Sequence, residues 1–223
     1  MSQSHEQAHL ADLLSDFAAA PSINPQNAIV LIQLRYSALL QDIEVIRDVL
    51  RLADEKGGSH SAFLPRVIHK FLYKSILNNA GQYRRTNEPG NGIIKFGPRQ
   101  IFDGAPPSQI ESEINVVFSA LHATEYDPVW RVAAFYQRFV QIHPFYDANG
   151  RIGRAIVVAY LDLYGLYMNW ENMEKNNQWL KRLNDCHKRY LSHDYTPYLE
   201  YHINHWRRFI APKAVIYSQD EVF

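Results

Sequence analysis

The sequence predicts an all-α fold with one inserted β-hairpin. Three observations carry that reading. Apolar residues recur at helical spacing along most of the chain, and proline and capping residues punctuate those stretches. Only one segment, 81–105, breaks the pattern, with glycine, proline and short β-like runs.

Taken in order, an amphipathic stretch covers 6–19 and stops near Pro21. Asn24-Pro25 opens a long helix, since proline is tolerated at the first helical position. Its stripe (Ile29, Ile32, Tyr36, Leu39, Leu40, Ile43, Ile46, Leu50) continues until Lys56-Gly57-Gly58. Another helix is expected from Ala62 to Asn79. Within 81–105, the runs Ile93–Phe96 and Gln100–Phe102 read as a hairpin turning near Gly97-Pro98. Ser108 and Glu111 have the spacing of a capping box for a helix reaching Ala123. Asp127-Pro128 starts the next helix, to Ile142. A helix from Asn149 ends at Gly165, and two more are expected over 171–191 and 197–210, the last opened by Thr196-Pro197. Residues 1–58 read as an N-terminal helical extension packed on a catalytic domain, 59–223.

Composition narrows the function. A chain of 223 residues can bury a substantial core, and 47% hydrophobic with 21% charged residues is ordinary for a globular protein. Lys plus Arg, 23, balances Asp plus Glu, 23, so no bulk charge is available to hold a duplex or an anionic membrane. Neither nucleic acid nor membrane is therefore expected as a partner. The single Cys186 suits a reducing compartment, and the start MSQSHEQAHLADLL lacks the basic region of a signal peptide. The cytoplasm is the expected location, with export into a host cell by an unfamiliar signal left open.

The chemistry concentrates in His143-Pro-Phe-Tyr-Asp-Ala-Asn-Gly-Arg-Ile-Gly-Arg154. Pro144 stops the preceding helix, and Asn149-Gly150 opens the next. First-turn N–H groups lack intrahelical partners, so this helix start favours an anion, and Gly150 allows close approach. Arg151 and Arg154 project from one side, as forked donors suited to polyphosphate. Asp147 supplies a hard oxygen for Mg²⁺, and His143 is the one group here that titrates near neutrality. Phe145 reads as the loop's anchor. Singly, each residue has a bland alternative: a satisfied histidine, an Asp cap, a solvated arginine face. Their conjunction around one helix start favours a site.

This segment resembles the Fic signature, H-P-F-x-[D/E]-G-N-G-R-x-x-R, departing only at Ala148, where the family usually has glycine. The likeness covers 62–194, with Gln82-Tyr83-Arg84, the hairpin and Pro106-Pro107 in the family's order. It implies a Fic-type helical bundle in which a target Ser, Thr or Tyr hydroxyl attacks the α-phosphate of ATP, leaving AMP on the target protein. His143 would be the base and Asp147 the Mg²⁺ ligand. Asn149, Gly150, Arg151 and Arg154 would bind phosphate oxygens. The hairpin would be a flap, with Ile94, Lys95 and Phe96 positioning the target by β-augmentation.

Two departures matter. Alanine disfavours positive φ, so Ala148 is innocuous only where the backbone is not left-handed. The Doc branch, whose members phosphorylate their targets, shares D-A-N but carries lysine at the position of Gly150. Many Fic proteins are also silenced by a helix bearing [S/T]-x-x-x-E-[G/N]. Neither Glu55, with Arg51 four residues earlier, nor Glu171, with Tyr167, fits that pattern. The resemblance then implies a separate antitoxin-like partner, a different restraint, or none. The rival readings are transfer of another nucleotide, a metal-dependent phosphohydrolase built on His193-Asp194 and His202-x-x-His205, and a non-catalytic interaction protein.

Overall fold

The structure is a computed structural model that describes residues 3–176 and 178–213. The outer ends of the two expected segments, 1–58 and 59–223, fall outside that description. Helix α1 (Gln3–Phe17) buries Leu10, Leu13, Leu14 and Phe17. Asn24 then caps α2 (Pro25–Gln41), its Oδ1 accepting from the Gln26 N–H at 2.8 Å. The single long helix expected to run through to Lys56 is instead two. Asp42, at φ −108° and ψ 48°, leaves helical geometry, and α3 (Glu44–Lys56) starts afresh. The break lets each piece find its own partner: α2 lies on α4 (Leu64–Tyr73), α3 on α7 (Asn149–Leu163).

Helix α4 also stops six residues short of the expected Asn79. Ser75 takes φ 67°, and the chain beyond it pairs with the end of α1, where the Asn78 N–H donates to the Phe17 carbonyl and Leu77 bridges Ala18. The hairpin forms, with shorter strands than expected and Gln100 in a 3₁₀ turn rather than a strand. Strands β1 (Lys95–Phe96) and β2 (Phe102–Asp103) are antiparallel, with Phe96 opposite Phe102. Gly97, at φ 76°, makes the turn that a residue with a Cβ would resist.

The capping box does not form. A 3₁₀ turn over Pro107–Gln109 delays α5 (Ile110–Leu121), and no side chain caps it. Asp127 does cap α6 (Pro128–Ile142), its Oδ1 accepting from Val129 and Trp130. After α7, strand β3 (Leu166–Met168) pairs with β4 (Ile210–Pro212), a ribbon the sequence pattern did not reveal. Between them the expected 171–191 helix is divided into α8 (Trp170–Lys175) and α9 (Gln178–Arg189), and α10 (Tyr195–Trp206) follows.

One hydrophobic cluster reaches from α1 to α10, and α7 is its axis: Ile152, Ala155, Ile156, Val157, Tyr160 and Leu161 are completely buried. Near α7, Ser61, His122 and Asp54 form a hydrogen-bonded line, Oγ to Nε2 at 3.1 Å and Nδ1 to Oδ1 at 2.6 Å. Ser61 is fully buried, so this trio ties α3 to α5 rather than presenting a nucleophile. Among the described residues no helix is long and apolar enough to cross a membrane.

Three core histidines, His69, His187 and His202, are held to a pKa of about 3 by burial. The unfolded chain protonates them near pH 6.5, whereas the folded chain does not until far lower. Their stabilising neutrality is therefore complete above pH 6.5 and is lost as pH falls. Each costs about 1 kcal/mol between pH 6.5 and 5.5. The thermal midpoint, followed by circular dichroism, is expected to fall by roughly 5–10 °C over that interval. A flat profile would contradict their neutral burial.

Candidate active site

The motif loop joins α6 to α7 and is bracketed by two left-handed residues. His143 takes φ 51°, ψ 59° and Ala148 φ 63°, ψ 7°. The condition under which alanine is innocuous is therefore not met: Ala148 carries a Cβ in left-handed geometry, at a cost of about 1–2 kcal/mol. Its surroundings hold it there, with the methyl packed in the core.

Asn149 fastens the loop from inside. Its Oδ1 accepts from the Phe145 N–H at 3.1 Å, and its Nδ2 donates to the Phe145 carbonyl at 2.8 Å. The Asn149 side chain is thus fully engaged within the loop. Phe145 is the expected anchor, 1% exposed. Its ring stacks on His69 at 4.2 Å, and His69 stacks on Tyr73 at 4.7 Å. From outside, Arg84 binds the same loop. Its Nε donates to the His143 carbonyl at 2.8 Å, its Nη2 to Ala105 at 2.9 Å and Ile142 at 3.3 Å, and its Nη1 to Gly92. Gly104 is required nearby, since a Cβ would stand 2.9 Å from the Arg84 Nη2.

The His143 imidazole lies under the flap, stacked on Phe96 with centroids 4.5 Å apart. Its Nδ1 faces the Val140 carbonyl at 3.1 Å, so Nδ1 carries the ring proton and Nε2 keeps its lone pair. Burial holds the pKa at about 4, and the ring is neutral at physiological pH. Asp147 accepts from the Tyr73 hydroxyl at 2.5 Å, from the Ala148 N–H at 2.6 Å and from Arg151 at 3.1 Å. Burial alone would raise its pKa, but the Arg151 charge and these donors outweigh that and hold the carboxyl ionised.

Gly150, by contrast with Gly104, is not demanded by packing: a Cβ there would meet only the Tyr136 hydroxyl, at 3.6 Å. The helix start is therefore open to an approaching group. Arg154 forms an ion pair with Glu174 of α8, and its guanidinium lies 5.3 Å from the Trp170 ring centre. In the flap, Lys95 points outward and pairs with Asp103 at 3.1 Å, and Ile94 is half-buried. Phe96 turns inward onto His143, so the three residues expected to position a target divide between two faces.

Glu174, Tyr73 and His69 were not foreseen. His69 and Tyr73 stand four apart on α4, a spacing that marks one face but gives no hint of the loop it meets. Glu174 has Trp170 four residues before it and Lys175 after it, which hides it from a pattern search. The rival metal site does not assemble. His202 and His205 are core residues, Asp194 bonds Ser192 and Arg189, and among the described residues no three metal-binding side chains converge.

Replacing Arg84 with alanine would strand the His143, Gly92 and Ala105 carbonyls, while Ile142 keeps the Ala105 N–H, and urea unfolding is expected to register a loss of about 3 kcal/mol or more. Arg84→Lys is expected to recover little, because one ammonium cannot reproduce the planar fork.

Residues 64–161, from the start of α4 to near the end of α7, match the Fic/DOC family model. No curated protein matches the chain. Solved structures do. The N-terminal Fic domain of a VirB-translocated Bep effector protein from Bartonella quintana, with bound ADP, superposes with a TM-score of 0.58 at 16% identity, covering 86% of this chain and 89% of that one. A Fic-domain signalling protein from Bacteroides thetaiotaomicron gives 0.55 at 17%, covering 92% and 82%. A Fic family protein from Desulfovibrio desulfuricans gives 0.53 at 18%, covering 99% and 74%. The signature loop, the flap above it and the helices beneath it thus lie in the segment, 64–161, that matches the Fic/DOC family model, in a fold shared with Fic structures along most of the chain.

Proposed function

We propose that this protein transfers AMP from ATP to a Ser, Thr or Tyr hydroxyl of a target protein, releasing pyrophosphate. The observation that carries the reading is His143: a neutral imidazole whose Nδ1–H is committed to Val140, leaving Nε2 to take a proton beside an open helix start. The target oxygen would bond to the α-phosphorus while its proton passes to Nε2 and the bond to pyrophosphate breaks. The N–H groups of Asn149 and Gly150 would face the phosphates, with Arg151 and Arg154 on the β and γ groups. The ADP in the Bartonella quintana structure supports a nucleotide in this fold.

The donor set fits Mg²⁺. Asp147 is an ionised carboxylate at the helix start, and Mg²⁺ characteristically takes one or two carboxylates together with phosphate oxygens. When bound, the ion would neutralise charge on the phosphates. Tyr73 and Arg151 would then orient Asp147 and share its charge.

A second reading is phosphate transfer of the Doc kind, which rests on the Asp147-Ala148-Asn149 run shared with that branch and is opposed by Gly150 in place of its lysine. Incubating the protein with ATP labelled at the α- or the γ-phosphate separates the two. Label from α alone is expected on the target, and His143→Ala is expected to lower transfer by roughly 10²–10⁴-fold. Label from γ alone would overturn AMP transfer in favour of the kinase reading.

Glu174 supports a restraint built into the chain, because it holds the arginine that a γ-phosphate would need. Glu174→Gln is expected to tighten ATP binding roughly two- to fivefold, the worth of a half-exposed ion pair, in a calorimetric titration. Unchanged or weaker binding would argue for a separate inhibitory partner.

A further inference from the structure

Between α4 and the segment that leads into the flap lies a cleft of about 630 Å³. Phe63 at the N-cap of α4, with Arg66, Val67 and Lys70 on that helix, lines one side; Tyr83, Arg84 and the start of α5 are also in the lining. We propose that this cleft binds an acidic peptide segment of a partner protein, with one apolar side chain inserted between flanking carboxylates.

Two observations argue for that occupant. The first is charge. The lining holds Arg66, Lys70, Arg84 and Arg85 against Glu111 alone. Arg85 is paired with Glu88, but Arg84 bonds only neutral carbonyls. Arg66 donates to the Gly81 carbonyl, and no carboxylate among the described residues pairs with Lys70. Arg84 is buried and Arg85 is paired, so the accessible cations are Arg66 and Lys70, against Glu111; on a concave surface those two attract and orient carboxylates. The second is the apolar floor. Phe63, at the N-cap of α4, and Val67 in its second turn are 49% and 53% exposed and both line the cleft, where they offer an apolar surface beside Arg66 and Lys70. The size suits a few side chains of an extended segment rather than a folded surface.

The cleft also touches the catalytic loop. Tyr83 presents its other side to the Phe145 ring, 5.2 Å between centroids, and Arg84 holds the His143 carbonyl. An occupant would thus rest on the two side chains that support the loop. The inference does not depend on which group the motif transfers.

The test is binding to an immobilised array of random heptapeptides, comparing the wild-type chain with Lys70→Glu and with Lys70→Glu/Arg66→Gln. Both positions are exposed, so the fold is retained, and circular dichroism verifies it. The wild type is expected to select peptides with two or more carboxylates flanking a Phe, Leu or Ile, and each variant to lose at least tenfold in affinity for them. Arg154→Ala, altered only at the motif, is expected to select the same peptides. Selection of peptides without that acidic signature, or an unchanged selection by both variants, would overturn the proposal.

Discussion

The buried guanidinium of Arg84 is the contact on which the site's geometry depends. A cation that is 1% exposed bears a large desolvation cost, and this one is satisfied without a carboxylate, by backbone carbonyls. Those carbonyls come from three places: the segment before the flap, the segment after it, and the end of α6. One planar group therefore fixes the base of the hairpin against the histidine that the hairpin covers. Burial lowers its pKa only to about 10, so it remains a cation throughout the physiological range.

The site is self-satisfied. Asp147 faces Arg151, Arg154 faces Glu174, and the Asn149 amide is turned onto its own loop. Each contact keeps a polar group in a defined place in a partly buried setting, where a wandering charge would be costly. On the proposed reading, an incoming polyphosphate would exchange partners with these side chains rather than fill vacant ones. Affinity then depends on the difference between two sets of charge pairs, which is smaller than either set alone.

Much of this was legible in the residues. Proline and asparagine or aspartate at helix starts marked α2 and α6 correctly, because those signals are local. The hairpin was legible for the same reason, with Gly97 at its turn. The motif loop was legible because its residues are consecutive. What escaped was non-local: the break at Asp42, which follows from two helices packing on different neighbours; the β3–β4 ribbon, whose strands are more than forty residues apart; and Glu174 on Arg154, joined only by the fold. The Ser108 capping box failed because Pro106-Pro107 favours a 3₁₀ turn before the helix can begin. The Asn149 clasp on Phe145 was hidden because nothing in the spacing says that Phe145 needs both ends of that amide.

Ala148 has a consequence for how the loop's sequence can vary. Glycine there would remove the left-handed strain of the folded loop, yet it would also enlarge the ensemble of the unfolded chain and delete a methyl from the core. These effects oppose one another at similar size, about 1 kcal/mol each. An exchange between the two residues is thus close to neutral for folding, and drift at this position needs no change in chemistry to accompany it. Alanine at 148 is weak testimony about which phosphate is transferred. The loop's shape, fixed by Asn149 within and Arg84 without, outlasts the choice of residue that bends it.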